Sequence, residues 1–264
     1  MRGTGEKWQA ELVLAIQAAR AAGELLGEQF RKPHQIRYKG AANLVTEMDQ
    51  QAEELIRDLL SRARPDVPIL GEEGGGERGG DGLRWVVDPL DGTTNYAHGY
   101  PFFAVSIALA QDTEVVVGAV YNPVLDELFA ARQGGGATLN GQPIQVSQTE
   151  TLERSLLASG FPYDAWTSPR DNGAEWRRFL KRVVSLRSDG AAALDLCHVA
   201  AGRIDGYWEL VLEPWDMAAG ALVVMEAGGQ VTQVDGSPFR LAGPSVLASN
   251  GRLHPAMVAV LSGG

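Results

Sequence analysis

The run Trp85-Val86-Val87-Asp88-Pro89-Leu90-Asp91-Gly92-Thr93-Thr94-Asn95 constrains this chain more than any other stretch. Its apolar start reads as a buried strand. Pro89 fixes φ and removes a backbone donor, so the strand is expected to stop there. Asp88 and Asp91 then stand three apart in a turn, where both carboxylates and the Leu90 carbonyl can face one point. Gly92 lets the backbone approach a ligand closely. Thr93, Thr94 and Asn95 suit the start of a helix, whose N–H groups bind phosphate oxygens. Hard cations such as Mg²⁺ want oxygen donors of this kind, with waters and substrate phosphate completing the shell. Taken alone, an Asp-rich turn of this type is about as often a plain helix cap.

Other acidic positions shift that balance. Glu72 follows the strand-like Val67–Leu70 and precedes a glycine-rich loop over residues 71–82. Asp216 lies in Glu213-Pro214-Trp215-Asp216-Met217-Ala218-Ala219-Gly220, the first turn of a helix, where the dipole alone favours an acid. Thr46 reads as an N-cap with Asp49 three residues on. Spacing by itself does not bring residues 49, 72, 88, 91 and 216 together.

Composition narrows the partners. The chain has 264 residues, a net charge of −10 and 45% hydrophobic residues. That length allows one large domain or two lobes, and it buries roughly 70–75% of the unfolded surface without a disulfide or structural metal. The acidic balance disfavours nucleic acid and anionic membranes as direct partners. Cys197 is the single cysteine; it reads as a buried hydrophobe and fits a reducing, cytoplasmic setting. The N-terminal stretch reads as an amphipathic helix over residues 8–31, not a signal peptide, and no apolar run reaches the length of a membrane span. Gly74 to Gly79 formally matches G-x-G-x-x-G, but a strand-like run follows it where a dinucleotide site needs a helix. No P-loop occurs.

The first half reads as two helices plus a largely antiparallel sheet, with strands over 103–110, 115–121 and 127–131 and a hairpin at Asn140-Gly141. Lys39 to Asn43 reads as a loop. The second half alternates: a strand over 155–159, a helix over 172–184, a helix over 191–201, a strand over 204–209, a helix over 215–227 ending at Gly228-Gly229, a strand over 245–248 and a helix over 255–261. The expected division is an N-terminal metal-binding lobe, 1–148, and a C-terminal lobe, 149–264, that completes the site.

Four pieces taken together carry a resemblance: Asn43-Leu44-Val45-Thr46-Glu47-Met48-Asp49; Gly71-Glu72-Glu73; Trp85 through Pro101; and Trp215-Asp216-Met217-Ala218-Ala219-Gly220 followed by Glu226-Ala227-Gly228-Gly229. In their order and gaps the chain resembles the inositol monophosphatase family of Mg²⁺-dependent, lithium-inhibited phosphatases, over nearly its whole length. The resemblance implies an α+β fold, a layered α-β-α-β-α sandwich, and a homodimer. It implies that Glu72, Asp88 and the Leu90 carbonyl hold one Mg²⁺, that Asp88, Asp91 and Asp216 hold a second, and that a third sits loosely near Glu72. Asp49 and Thr93 would orient the attacking water, with Glu72 assisting, and phosphate would lie on the N–H groups of Gly92 and Thr93. Gly190, Ala192 and Glu209 match family positions lining the sugar-alcohol pocket. Substrate contacts are thus expected at Glu72, Leu90, Asp91, Gly92, Thr93, Gly190, Ala192, Glu209 and Asp216. His98 reads as structural. Asn43 stands where an aspartate is common, the loop from Lys39 looks one residue short, and Gly160-Phe161-Pro162 resembles bacterial members.

The activity implied is hydrolysis of myo-inositol 1-phosphate or a related polyol phosphate. Fructose-1,6-bisphosphatase, histidinol-phosphate phosphatase and nucleotide 3′-phosphatase activities occur in the same family. A regulatory role through protein contacts, independent of catalysis, is the alternative of a different class.

Overall fold

The structure, a computed structural model, describes residues 7–38, 44–77 and 81–264. The Lys39 to Asn43 loop and residues 78–80 of the glycine loop lie outside the described residues. The chain opens with α1 (Gln9–Gln29), the paired strands β1 (Ile36–Tyr38) and β2 (Leu44–Thr46), and α2 (Glu47–Ala63). Then come β3 (Ile69–Gly71), β4 (Leu83–Asp91), the short α3 (Thr93–Ala97), β5 (Ala104–Gln111), β6 (Glu114–Asn122), β7 (Glu127–Arg132), β8 (Ala137–Leu139) and β9 (Gln142–Pro143). These seven strands form one sheet in sequence order, parallel between β3 and β4 and antiparallel elsewhere. Asn140 and Gly141, both at positive φ, make the β8–β9 hairpin as expected.

The second half contributes β10 (Leu156–Ser159), α4 (Gly173–Leu180), β11 (Ser185–Arg187), α5 (Ala192–Ala200), β12 (Gly206–Glu209), α6 (Pro214–Glu226), β13 (Gln230–Thr232), β14 (Val246–Ser249) and α7 (His254–Leu261). Its five-stranded sheet runs β11-β10-β12-β14-β13. The helix expected over 172–184 stops at Leu180. Val183 and Val184 are β-branched, and the chain beyond them pairs in parallel with β10 from Ser185 to Arg187.

Alternating side chains show how the layers stack. Phe103, just before β5, and Val105, Ile107 and Leu109 on it pack with α1 and α2, while Ala104, Ala108 and Ala110 pack on the other face with α5 and α6. On β12 and β14, Tyr207, Val246 and Ala248 join the α5–α6 layer, while Trp208 and Leu247 face α4 and α7. The order is therefore α1/α2, seven-stranded sheet, α5/α6, five-stranded sheet, α4/α7: an α+β sandwich of five layers. Both sheets are buried on both faces, which explains their near-continuous apolar runs. Among the described residues no helix is long and apolar enough to cross a membrane.

One expectation is corrected. β4 does not stop at Pro89. Its pairing with β5 passes from Asp88 opposite Ser106 to Asp91 opposite Ala104, so Pro89 and Leu90 on one strand oppose the single Val105 on the other. Proline donates no N–H, the ladder slips there, and pairing resumes at Asp91. The bulge re-aims the side chains at the end of the strand.

Candidate active site

Four chain segments end at one place. β3 delivers Glu72, β4 delivers Asp88 and Asp91, the first turn of α6 delivers Asp216, and the N-terminus of α2 delivers Asp49.

Asp49 is fully buried, and its bonds come from three directions. Oδ2 accepts from the Thr46 amide at 2.8 Å and the Thr46 hydroxyl at 2.7 Å, closing the expected capping box. Oδ1 accepts from the Thr93 hydroxyl at 2.8 Å. Burial pushes the Asp49 carboxyl up, and the bonds from Thr46 and Thr93 hold it back. Thr93 Oγ1 also lies 3.1 Å from the Leu90 carbonyl. Gly92, at φ 92°, makes the turn between β4 and α3; a Cβ there would stand 3.0 Å from the Phe102 carbonyl oxygen and 3.3 Å from that of Gly190.

Asp91 ties the end of β4 to the start of α5 across the site. Its Oδ2 accepts from the Ala193 amide at 2.8 Å, and the amides of Ala192 and Leu194 also face it. α5 has no side-chain cap of its own at Ala191. A carboxylate 102 residues earlier fills that role. Asp216 belongs to the capping box of α6, with Oδ2 accepting from the Glu213 amide at 2.8 Å. Asp88 Oδ1 accepts from the Leu90 amide at 3.0 Å.

The acids feel one another strongly. Burial and then the charges of Glu72, Asp91 and Asp216 push the Asp88 carboxyl well above the usual range. Burial pushes Asp91 up to about 7 against the pull of the α5 amides. Burial raises Asp216 as well, and Asp91, Glu72 and Glu209 add to it. Buried acids of this kind either hold protons or are neutralised by a cation. Among the described residues no three acidic, imidazole or thiol groups stand close enough together to hold a metal ion between them. An open arrangement of a few carboxylates suits Mg²⁺, which keeps several waters and takes substrate phosphate as ligand.

The opposite side of the site is built from β12 and the loops facing it. Glu209 is buried at the end of β12, and burial pushes its carboxyl up to about 7. The Tyr207 hydroxyl, two residues earlier and on the same strand face, donates to Glu209 Oε2. Gly160 lies directly against the Glu209 carboxylate, where a Cβ would collide. Asn172 holds that turn: its Nδ2 donates to the Gly160 carbonyl at 2.6 Å and to Ser159 Oγ at 2.7 Å. Asn95 Nδ2 donates to the Asp189 carbonyl at 2.8 Å, setting the loop that carries Gly190.

The structure thus brings Glu72, Asp88, Asp91 and Asp216 into one field, joins Asp49 to Thr93, and sets Gly92 against Gly190. Glu209 stands near enough to raise Asp216. His98 caps α3, with Nδ1 3.2 Å from the Thr94 carbonyl. Two aromatic residues escape a reading of the sequence. The period-two spacing of Tyr207 with Glu209 is the signal that could have found it. Tyr163 is 57% exposed overall, yet desolvation and then the charges of Asp216, Glu72, Asp91 and Asp88 push its phenol up. An open recess of about 430 Å³, lined by Gln148, Thr149, Glu150, Thr151 and Arg154, shares no residue with the acidic group.

A sequence model of the inositol monophosphatase family matches residues 7–263. The chain is 47% identical to the inositol-1-monophosphatase of Synechocystis sp. over 248 residues, 93% of this chain and 86% of that protein. It is 42% identical to the Nus factor SuhB of Pseudomonas aeruginosa, over 96% of each chain. The solved inositol monophosphatase of Anabaena (Nostoc) sp. superposes with a TM-score of 0.89 at 42% identity, covering 97% of this chain and 96% of that one.

Proposed function

The chain belongs to the inositol monophosphatase family of phosphatases, and on that premise we propose that it is a Mg²⁺-dependent phosphomonoesterase hydrolysing myo-inositol 1-phosphate or a related polyol phosphate. The observation that carries this reading is the meeting of Glu72, Asp88, Asp91 and Asp216 in one field beside the Asp49–Thr93 bond. Glu72, Asp88 and the Leu90 carbonyl would hold one Mg²⁺; Asp88, Asp91 and Asp216 would hold a second, with a third loosely placed near Glu72. Bound there, the ions would supply neutralisation of phosphoryl and leaving-oxygen charge and a lowered pKa for water.

The chain's own groups do the positioning. Thr93 has one hydroxyl proton, and Asp49 Oδ1 takes it at 2.8 Å. The Thr93 oxygen is then an acceptor, able to take a hydrogen bond from water and aim its lone pair at phosphorus. Burial raises the proton affinity of Asp49, so the pair can draw a proton from the water toward Asp49 through Thr93. Phosphate oxygens lie on the amides of Gly92 and Thr93. Backbone at Gly190 and Ala192 borders the polyol, and Glu209 accepts from a ring hydroxyl. No protein nucleophile takes part.

The proposal includes a homodimer in the cytoplasm, lithium sensitivity, and two lobes, 1–148 and 149–264, that meet at the site. Similarity to a Nus factor supports a second reading, a regulatory protein contact independent of turnover. A pull-down with an Asp88→Asn variant separates the two, because a regulatory contact survives loss of the metal site. The substrate is tested by phosphate release from inositol 1-phosphate, fructose 1,6-bisphosphate and histidinol phosphate at equal concentration. The reading requires inositol 1-phosphate to be hydrolysed with the highest kcat/KM of the three.

A further inference from the structure

Asp49, Glu53 and Arg57 follow one another at four-residue steps along α2, on one face of the helix. An acid and an arginine so spaced usually form a solvated pair worth a few tenths of a kcal/mol. Here the acid turns inward. Glu53 is 2% exposed. Its Oε2 accepts from the Glu73 amide at 2.7 Å, and its Oε1 accepts from the Gly74 amide at 2.8 Å and from Arg57 Nε at 2.6 Å. Arg57 reaches past it to the Gly75 carbonyl at 2.9 Å.

The turn is shaped to admit this carboxylate. A Cβ at Gly71 would run into Glu53, and one at Gly74 would stand 2.6 Å from Glu53 Oε1. The Gly71 amide donates to the Gly75 carbonyl at 3.1 Å, closing the turn, and the Glu72 amide donates to the Val87 carbonyl at 3.2 Å, one residue before Asp88. The backbone at Glu72 is therefore held by β4 and, through the next two amides, by the side chain of Glu53. Four residues earlier the same helix carries Asp49, bonded to Thr93. One rigid element sets both the acid at the end of β3 and the hydroxyl at the start of α3.

We propose that Glu53, backed by Arg57, is a positioning residue that sets the divalent-cation affinity of the site by fixing the turn through Glu72, without touching substrate. The proposal rests on the reading of Glu72 as a Mg²⁺ ligand. It differs from a merely structural role in where the loss falls. A structural defect lowers stability and turnover; a displaced Glu72 weakens Mg²⁺ binding first.

The test is Glu53→Gln, which keeps the shape of the side chain but sets an amide NH₂ against backbone N–H donors. Mg²⁺ binding is read by titration calorimetry without substrate, and turn opening by hydrogen exchange at the Glu73 and Gly74 amides. Steady-state kinetics are run over a Mg²⁺ series. Partners that orient a ligating group typically cost about 10–100-fold in metal affinity when lost, and a fall in that range is expected. Faster exchange at both amides is expected with it, and kcat at saturating Mg²⁺ should be largely restored. Arg57→Gln, which leaves the buried acid in place, should shift Mg²⁺ affinity the same way by less, and it serves if Glu53→Gln does not fold. Unchanged Mg²⁺ affinity in these variants, alongside a loss in Glu72→Gln, would overturn the role of Glu53 and leave Glu72 a ligand. Unchanged Mg²⁺ affinity in Glu72→Gln itself would overturn the reading of Glu72, and this proposal with it.

Discussion

Thr93 Oγ1 donates to Asp49 Oδ1 at 2.8 Å, joining residues 44 positions apart in the chain. The other oxygen of Asp49 is engaged by the amide and hydroxyl of Thr46. The carboxylate thus caps its own helix and fixes a hydroxyl on another. Replacing Thr93 by alanine removes that hydroxyl and leaves the cap.

Thr93→Ala should therefore lower kcat by about 10²–10⁴-fold, the usual weight of positioned proton transfer, with little change in KM or in the Mg²⁺ requirement. Steady-state kinetics at saturating Mg²⁺ measure it. An unchanged kcat with a raised KM would make Thr93 a binding residue only.

Asp91→Asn should abolish turnover while the fold survives. The amide oxygen of asparagine can still accept from Ala193, so the tie to α5 remains. The charge facing the cation does not. Circular dichroism and thermal melting check the fold. Retention of more than about a tenth of the activity, a loss of only about 1.4 kcal/mol in barrier, would contradict the assignment.

What is legible in the sequence is mostly local. The capping box of Thr46 and Asp49, the Asn140-Gly141 hairpin and the Gly228 stop after α6 each depend on residues a few positions apart, and each forms as expected. At Pro89 the proline rule predicts an end and the chain makes a bulge, because the rule describes the missing donor and not the partner strand that re-pairs at Asp91. The apolar spacing of α4 continues to Val183, beside the residues that pair with β10, so periodicity overstates the helix. In the site, the acids are legible as candidates, and their convergence follows only from resemblance. The capping of α5 by Asp91 and the clasp of Glu53 on the Glu73–Gly75 turn join distant segments. The four-residue spacing of Glu53 and Arg57 does not by itself show that the acid turns inward.

Glu209 supplies a prediction in pH. Its carboxyl stands at about 7 in the fold against an ordinary 4.5. The folded protein holds this proton through a range where the unfolded chain has lost it. Its contribution is fully present below pH 4.5 and is lost as pH rises toward 7. Each pH unit between those two values is worth about 1.4 kcal/mol, so the loss is roughly 3 kcal/mol. Denaturant unfolding of the Mg²⁺-free protein at pH 4.5 to 7.5, compared with Glu209→Gln, isolates this slope. The variant keeps an acceptor for Tyr207 and should be flatter by that amount. Parallel curves would show that Glu209 ionises normally.

Lithium tests the second cation position. If Asp88, Asp91 and Asp216 hold that ion, Li⁺ competes with Mg²⁺ for the same three carboxylates. Li⁺ should then inhibit uncompetitively, by entering after hydrolysis. Asp216→Glu should relieve that inhibition and raise the Mg²⁺ requirement, because the longer side chain disturbs near-octahedral geometry. Phosphate release over a Li⁺ series at several substrate concentrations decides. Full insensitivity of the parent enzyme would contradict this account of the second position.

The most direct measurement is phosphate release from myo-inositol 1-phosphate by protein stripped with EDTA, followed as Mg²⁺ is added back. The account predicts no turnover in EDTA, saturable recovery with Mg²⁺, and no recovery in an Asp88→Asn variant that still folds. Turnover that persists in EDTA, or that Asp88→Asn leaves intact, would contradict it.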